Sequence, residues 1–410
     1  MGEVTIALAG LGGYGDIYVR MLLAGAAQHG ARLIAGIDPF AERTGNLEKF
    51  RQAGIPVYAD LAEFFEQGKA DLVVISTAIH LHALMALEAL AQGSHVLCEK
   101  PVCATLDEYA RMLEAEKRTG RFVAIGYQWS YARAIQELKQ DILDGVFGRP
   151  QLFKSLVLWP RAVSYFQRND WAGRIRSNSG AWIFDSPVHN ATAHYLHNLF
   201  YLLGEKPESS AMPVGVQAEC YRVNRIENYD AASVCCHVDY DNCPGGIELL
   251  FYTAHPVRKE YGPLFHLEFE NAVVEYDRGN GSGIRARFRD GSTTEYGDPY
   301  SDESDKLWQA VEAVRGKGPI LCGLPAALPQ LQCMHAMRAS TEIKQMPGEK
   351  IENMPWGNGD FLLYSEELEA SLRQGYARNC MPAEFGEYSW AKPGKLVRLD
   401  RNGKAILITD

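Results

Sequence analysis

Long apolar runs, an excess of basic charge and paired cysteine spacing are all missing from this 410-residue sequence, and each absence removes a class of function. No stretch approaches the ~20 consecutive apolar residues that a membrane-spanning helix needs, so no membrane partner is expected. Lys and Arg number 41 against 51 Asp and Glu, a formal net charge of −10. An acidic chain exerts no global pull on a phosphate backbone, so nucleic acid is not an expected partner either. The nine cysteines are scattered without a Cys-x-x-Cys pair. That spacing predicts neither a disulfide framework nor a metal site, and free thiols fit a reducing, cytoplasmic setting. The first ten residues carry no basic stretch and read as a first strand, not as a targeting peptide. With 47% apolar and 22% charged residues the composition is that of a globular protein, and disorder is excluded.

The length favours two domains. Up to about residue 128, short apolar runs alternate with helical patterns: Val4–Ala9, Arg32–Ile37, Asp71–Ser76, Ser94–Cys98 and Phe122–Ile125 read as strands. Helices are predicted over Tyr14–Ala27, Leu81–Gln92, Leu106–Thr119 and Ala132–Asp144. Continuous apolar strands separated by helices predict a doubly wound parallel sheet over residues 1–128. A second α/β domain over 129–350 is read from strands at Val214–Arg222, Ala232–Tyr240, Gly246–Tyr252, Phe265–Phe269, Ala272–Tyr276 and Ile284–Phe288. Turn residues at Asn242–Gly246 and Asp290-Gly291 between them indicate a large, mostly antiparallel sheet. Residues 351–410 form a C-terminal extension with one clear helix, Ser365–Gln374.

Gly10-Leu11-Gly12-Gly13-Tyr14-Gly15 matches G-x-G-x-x-G, follows a strand, opens a helix, and has Asp38 at the end of the second strand. That context is what a dinucleotide site requires. Gly10 allows the tight turn, Gly12 the approach of a pyrophosphate to the backbone, and Gly15 close packing of helix on strand. The head of the helix then offers N–H groups and partial positive charge to the diphosphate. Asp38 would accept from ribose hydroxyls and repel a 2′-phosphate, which favours NAD over NADP; Arg43 is the residue that would support NADP. Further along, the strand ending at Cys98 runs into Glu99-Lys100-Pro101. Ligands of open α/β sheets bind outside the carboxyl ends of the strands. Pro101 biases Lys100 to extended angles, and a lysine held there can stabilise a developing alkoxide. Taken alone, such a tripeptide is most often a surface turn.

The order and spacing of Ile75–His82, Gly93–Pro101, Gly126-Tyr127-Gln128 and Asp144–Gly148, behind the glycine turn, resemble the Gfo/Idh/MocA family of sugar and cyclitol oxidoreductases. The resemblance implies that Glu99 and Lys100 contact the nicotinamide end with Lys100 assisting catalysis, and that Thr77, His82 and Gln128 touch the cofactor. It also implies an aspartate and a histidine four apart at the start of a helix, matched by Asp185 and His189. Four residues bring two side chains onto one helical face, and an imidazole titrates near working pH, as a general base should. Pro187 stands where the family has a small residue. His194 and His197 follow on the same helix at ~100° per residue, on a different face; His194 is the competing base. A metal held by His194 and His197 finds no third ligand.

Ahead of this motif lie Trp159, Arg161, Tyr165, Arg168, Trp171, Arg174 and Arg176, with Asp170 the one acid among them. Aromatic faces suit the C–H face of a sugar, and arginines suit a carboxylate or phosphate; the alternative is a solvated loop. The expected activity is hydride transfer between NAD and a carbinol of a sugar, sugar acid or cyclitol. In this reading Lys100 and His189 assist the proton, Asp185 fixes the geometry, and the protein is a homodimer or homotetramer assembled through the open face of the second sheet. Two other readings stay open: an NAD-dependent glycosidase or lyase that oxidises its sugar transiently, and a non-enzymatic cofactor-binding regulator.

Overall fold

Six short strands dominated by Val, Ile, Leu and Ala lie side by side, all parallel, in a first sheet. They are β1 (Val4–Ala9), β2 (Ala31–Ile37), β3 (Val57–Tyr58), β4 (Leu72–Ile75), β5 (His95–Cys98) and β6 (Val123–Ile125), in the spatial order β3-β2-β1-β4-β5-β6. Between them run α1 (Gly15–Gly25), α2 (Leu47–Gln52), α3 (Leu61–Gln67), α4 (Ile79–Ala91) and α5 (Leu106–Thr119). The strands carry apolar side chains on both faces because helices cover both, which is why they lack alternation. Chain direction across the sheet reverses between β1 and β4, and the crevice at their carboxyl ends is the switch point where such sheets bind ligands. The computed structural model describes residues 2–240, 246–301, 303–400 and the backbone of 405–406.

A second sheet begins with β7 (Pro150–Leu158), after α6 (Arg133–Leu143). The chain passes through α7 (Val163–Gln167) and α8 (Ala193–Leu202). Then come β8 (Pro213–Arg222), β9 (Ala231–Val238), β10 (Ile247–Ala254), β11 (Tyr261–Phe269), β12 (Ala272–Asp277), β13 (Ser282–Phe288) and β14 (Thr293–Gly297). After α9 (Asp305–Val314) and α10 (Leu324–Ser340) come β15 (Ile343–Gln345), a hairpin of β16 (Glu352–Pro355) and β17 (Phe361–Tyr364), α11 (Glu366–Arg378), β18 (Val397–Leu399) and β19 (Ala405–Ile406). The sheet order is β14-β13-β12-β11-β7-β10-β9-β8-β18-β19, with β15 on β8. All neighbours are antiparallel except β7 with β10 and β15 with β8. This is the α/β class expected, with a mostly antiparallel second sheet. The Asp290-Gly291 turn sits between β13 and β14, where Asp290 accepts from the Ser292 backbone N–H at 2.8 Å. Of the other expected turn, residues 242–245 lie outside the described residues.

The helices α2, α3, α9 and α10 and the strands β3 and β14 were not read from the sequence, and two further features depart from it. The central strand β7 went unread, because Lys154-Ser155 breaks its apolar run and it shows no alternation. The division into a first domain of 1–128 and a contiguous second domain of 129–350 also differs from the structure. One unit comprises Met1–Tyr131 with Asp302–Leu328, the other Ala132–Ser301 with Pro329–Asp410. The return is driven by α9, whose Leu307, Ala310 and Val311 join Leu8, Leu22, Leu33 and Phe50 in the core of the first unit.

The C-terminal extension lies on the second sheet. Register places Cys235, Leu250, Lys154, His266 and Glu275 in one row across β9, β10, β7, β11 and β12, all on one face. On that face α11 buries Leu368 and Leu372 against Leu156, Leu250 and Tyr252, with Tyr376 and Trp390 at the edge. Burial of each leucine contributes roughly 1.5–3 kcal/mol. Lys154 Nζ donates to the Tyr376 carbonyl at 2.8 Å and to Asn379 Oδ1 at 2.6 Å, holding the end of α11 down. The face expected to lie open for assembly is therefore covered, over β7, β9 and β10, by the chain's own tail.

Candidate active site

The glycine turn follows β1. Gly10 has φ +87°, and a Cβ there would overlap the Ser76 carbonyl at the end of β4. A Cβ on Gly15 would overlap the Gly10 carbonyl. Packing thus demands both glycines, joining β1, β4 and α1 at the crevice. A Cβ on Gly12 would stand 3.3 Å from Thr44 Cγ2, whereas one on Gly13, at φ +57°, would meet open space. The turn accordingly presents an uncluttered backbone at the head of α1, and a diphosphate fits there. Asp38 Oδ2 accepts from Leu11 N–H (2.9 Å) and Oδ1 from Phe40 N–H (2.8 Å). Its carboxylate is held beside the turn with lone pairs left for ribose hydroxyls. Arg43 lies over the Phe40 ring at 4.9 Å.

Glu99 is the most heavily constrained acid of this unit. Its Oε1 accepts from Tyr18 Oη–H at 2.8 Å and pairs with Lys306 of α9, a lysine only 1% exposed. Its Oε2 accepts from Lys100 N–H at 3.2 Å. The carboxylate lies against Gly126, 2.8 Å from where a Cβ would stand. Lys306 also donates to Tyr14 Oη at 3.0 Å, and Tyr14 Oη–H donates to Gln128 Oε1 at 3.2 Å. Burial alone would lower the Lys306 pKa, but Glu99 and Tyr14 beside it outweigh burial and raise it. One network therefore ties the glycine turn, the Glu99-Lys100 turn and Gln128 together. Lys306 was invisible to sequence reading: a lone lysine in a distant amphipathic helix carries no motif.

Lys100 is half-buried at the carboxyl end of β5, and its peptide bond to Pro101 is cis. His82 is buried, its Nδ1 2.7 Å from the Pro101 carbonyl and its Nε2 3.2 Å from that of Thr77. Burial lowers its pKa, so it is a neutral ring bracing the turn that carries Lys100. Thr77 sits at the head of α4, its Oγ1 directed at Met85 Sδ (3.6 Å).

In the second unit, Phe184 adopts φ +54°, a left-handed conformation that costs about 1–3 kcal/mol and tends to persist at functional sites. It delivers Asp185 into a buried position, where Oδ2 accepts from Gly173 N–H (2.6 Å) and Oδ1 from Asn190 Nδ2 (2.7 Å). The expected single helix does not form across His189. Residues Pro187–Ala191 make a π turn, with Thr192 N–H bonded to the Pro187 carbonyl at 2.8 Å, and α8 starts afresh after Thr192. The angular count that placed His194 and His197 on another face does not apply across that break. His189 is fully buried, with its N–H capped by Ser186 Oγ at 3.2 Å. His194 is half-buried, edge-on to Tyr195. His197 stacks on Tyr201, and burial together with the Lys139 ammonium pushes its pKa down to about 3, as for a core imidazole.

Asp185 shares a narrow cleft with Tyr165, Phe166, Ser186, Pro187, Tyr229 and His255. His255 was not foreseen; it stands alone in sequence after β10. Its Nδ1 is 2.9 Å from the Trp159 carbonyl, and burial, then Arg161, lower its pKa to about 3, keeping it neutral. Burial, then Asp185, raise the Tyr165 phenol, which stays a donor. Arg161 leans on Trp159 and Tyr165, Arg168 on Tyr165 and Trp171, and Arg176 on Trp182. Arg174 bonds Asn178 and the Asp170 carbonyl. Among the described residues these guanidiniums rest on rings and neutral oxygens, which leaves their charge available to an anion.

The glycine turn at the switch point defines a dinucleotide-binding domain of the Rossmann class. Residues 4–127 match the model of an oxidoreductase family with NAD-binding Rossmann fold, GFO_IDH_MocA. The chain is 30% identical over 207 residues to an inositol 2-dehydrogenase of Rubrobacter xylanophilus, across 50% of this chain and 54% of that protein. It is 27% identical over 207 residues to the rhizopine catabolism protein MocA of Rhizobium meliloti, across 50% and 59%. The matches thus span little more than half the length of these curated relatives. In fold, it resembles the WlbA dehydrogenase of Bordetella pertussis, solved with NADH and UDP-GlcNAcA. The TM-score is 0.65 at 21% identity, covering 82% of this chain and 96% of that one.

Proposed function

We propose that the protein transfers a hydride between NAD and a carbinol of a sugar, sugar acid or cyclitol. The observation that carries this is the clamp on Glu99, which fixes the backbone of Lys100 at the carboxyl edge of β5, beside a glycine turn shaped for a dinucleotide. The inositol and rhizopine proteins among its relatives support the polyol class. NAD, when bound, supplies the acceptor for the hydride. The Lys100 ammonium donates to the reacting oxygen and stabilises its negative charge as the C–H bond breaks. His189 takes the hydroxyl proton. Asp185, held by Gly173 and Asn190, orients a substrate hydroxyl or the imidazole. Arg161, Arg168 and Arg174 favour an anionic substrate, with Trp159, Tyr165, Trp171 and His194 lining the approach.

No helix of the described residues is long and apolar enough to cross a membrane. We place the protein in the cytoplasm on its free thiols. We assign assembly into a homodimer or homotetramer to the second sheet, outside the strands that the tail covers.

The test is a screen of sugars, uronates and inositols with NAD and NADP, following NADH absorbance. Turnover with NAD and at least one polyol is expected, with acids preferred over their neutral parents. Bond cleavage without net NADH points to transient oxidation of the sugar. Cofactor binding without any turnover points to a regulator.

A further inference from the structure

Outside the candidate active site, three residues with ligand chemistry among the described residues converge on the second sheet. Glu248 of β10 pairs in register with His237 of β9, and Cys235 stands two residues before His237, so all three project from one face. Cys235 Sγ is 3.8 Å from His237 Nε2 and 3.6 Å from Glu248 Oε2, and the ligand atoms of the three lie within 4.8 Å of one another. Tetrahedral zinc, with Zn–S of ~2.3 Å and Zn–N and Zn–O of ~2.0–2.1 Å, places its ligand atoms about 3.3–3.6 Å apart. The two edges from Cys235 Sγ are therefore within a few tenths of an ångström of a coordinated set. A thiol, an imidazole and a carboxylate are also the borderline-soft mixture that selects zinc over magnesium or calcium.

We propose that Cys235, His237 and Glu248 form a three-ligand site for a zinc-class divalent cation, tying β9 to β10 on the face that carries the C-terminal tail. All three are partly buried, which shields the site without closing it. Three protein ligands leave the fourth position to water or to an incoming donor. Binding proceeds with loss of the Cys235 thiol proton to solvent and needs no redox partner. The adjoining row is also apt: Gln217 of β8, opposite Cys235, donates to the Gly394 carbonyl at 2.9 Å, so the tail passes directly beside the site. Glu384 of the tail adds further negative potential at Cys235. Cys236 points to the opposite face and takes no part.

The experiment uses the full chain, stripped with a chelator and dialysed. Cobalt(II) is added as the spectroscopic probe and zinc is then added in competition. One equivalent of cobalt should give the near-ultraviolet charge-transfer band of a thiolate ligand and the visible bands of a tetrahedral ion, and zinc should displace it. Cys235→Ser should abolish the thiolate band, while Glu248→Gln and His237→Ala should each weaken binding by at least about tenfold. Zinc should raise the melting temperature of the parent but not of the three variants. Absence of a band, or a band of full strength in Cys235→Ser, overturns the site. Circular dichroism of each variant shows that the comparison is made on folded protein, and Glu248→Gln keeps the thiol while removing a ligand.

Discussion

A buried lysine is tolerable only with its charge answered, and Lys306 is answered by Glu99 and Tyr14. Lys306→Met should leave Glu99 buried without its cation, costing about 3–5 kcal/mol. Glu99→Gln in the same chain should recover part of that loss, which thermal unfolding of the single and double variants measures. Because Glu99 holds the Lys100 N–H, kcat of the Lys306 variant should fall while the affinity for NAD, set mainly at Gly10–Gly15 and Asp38, changes little. The two histidines separate on another axis. His189→Ala should slow turnover by roughly 10² to 10⁴ and remove the acidic limb of the pH–rate profile. His194→Ala should keep both near those of the parent; the reverse ranking assigns the base to His194. Residues of this kind were legible to different degrees. The glycine turn, Asp38 and Lys100 announce themselves within a few positions of a strand end. Lys306 and Glu99 are 207 residues apart, and no local pattern joins them.

Elements were read where the sequence shows a clean pattern, either a continuous apolar run or a helical period, and missed where it shows neither. The helix expected over Leu106–Thr119 forms with those bounds, which a capping box of Thr105 and Glu108 and a closing Gly120 at φ +64° set. The central strand β7 was not legible, since Lys154-Ser155 interrupts its apolar run without giving a period of two. The π turn at Pro187–Ala191 was hidden because helical spacing assumes an unbroken helix, and Pro187 sits at its first position. Strand β8 carries a pH-sensitive contact with the tail. Glu219 is buried, bonded to Tyr221 and to the Ala383 N–H, and burial pushes its pKa from 4.5 up to about 7. A carboxyl whose pKa is raised by folding contributes stability that is full below pH 4.5 and lost as the pH rises through about 7. The parent should thus lose up to roughly 3 kcal/mol between pH 5 and 8 that Glu219→Gln does not lose. Urea denaturation at the two pH values measures the difference.

For the whole molecule, the tail covers part of the sheet face that the resemblance assigns to assembly. Removing residues 351–410 uncovers Leu156, Leu250 and Tyr252, a contiguous apolar strip of the kind that soluble monomers rarely show. Light scattering should find the shortened chain associated or aggregated and the parent at a smaller, defined mass; an unchanged mass after truncation means the tail is not the cover. The division into units carries a different consequence, one of timing. Synthesis runs from the amino end, and the Rossmann sheet, complete through β6 by residue 125, must wait for residues 305–314 before Leu307, Ala310 and Val311 fill its core and Lys306 meets Glu99. Throughout the making of the second sheet, the nascent first unit carries a gap in its core and an acid without its partner. The cofactor-binding half, first to leave the ribosome, is completed only after the half that follows it has largely emerged.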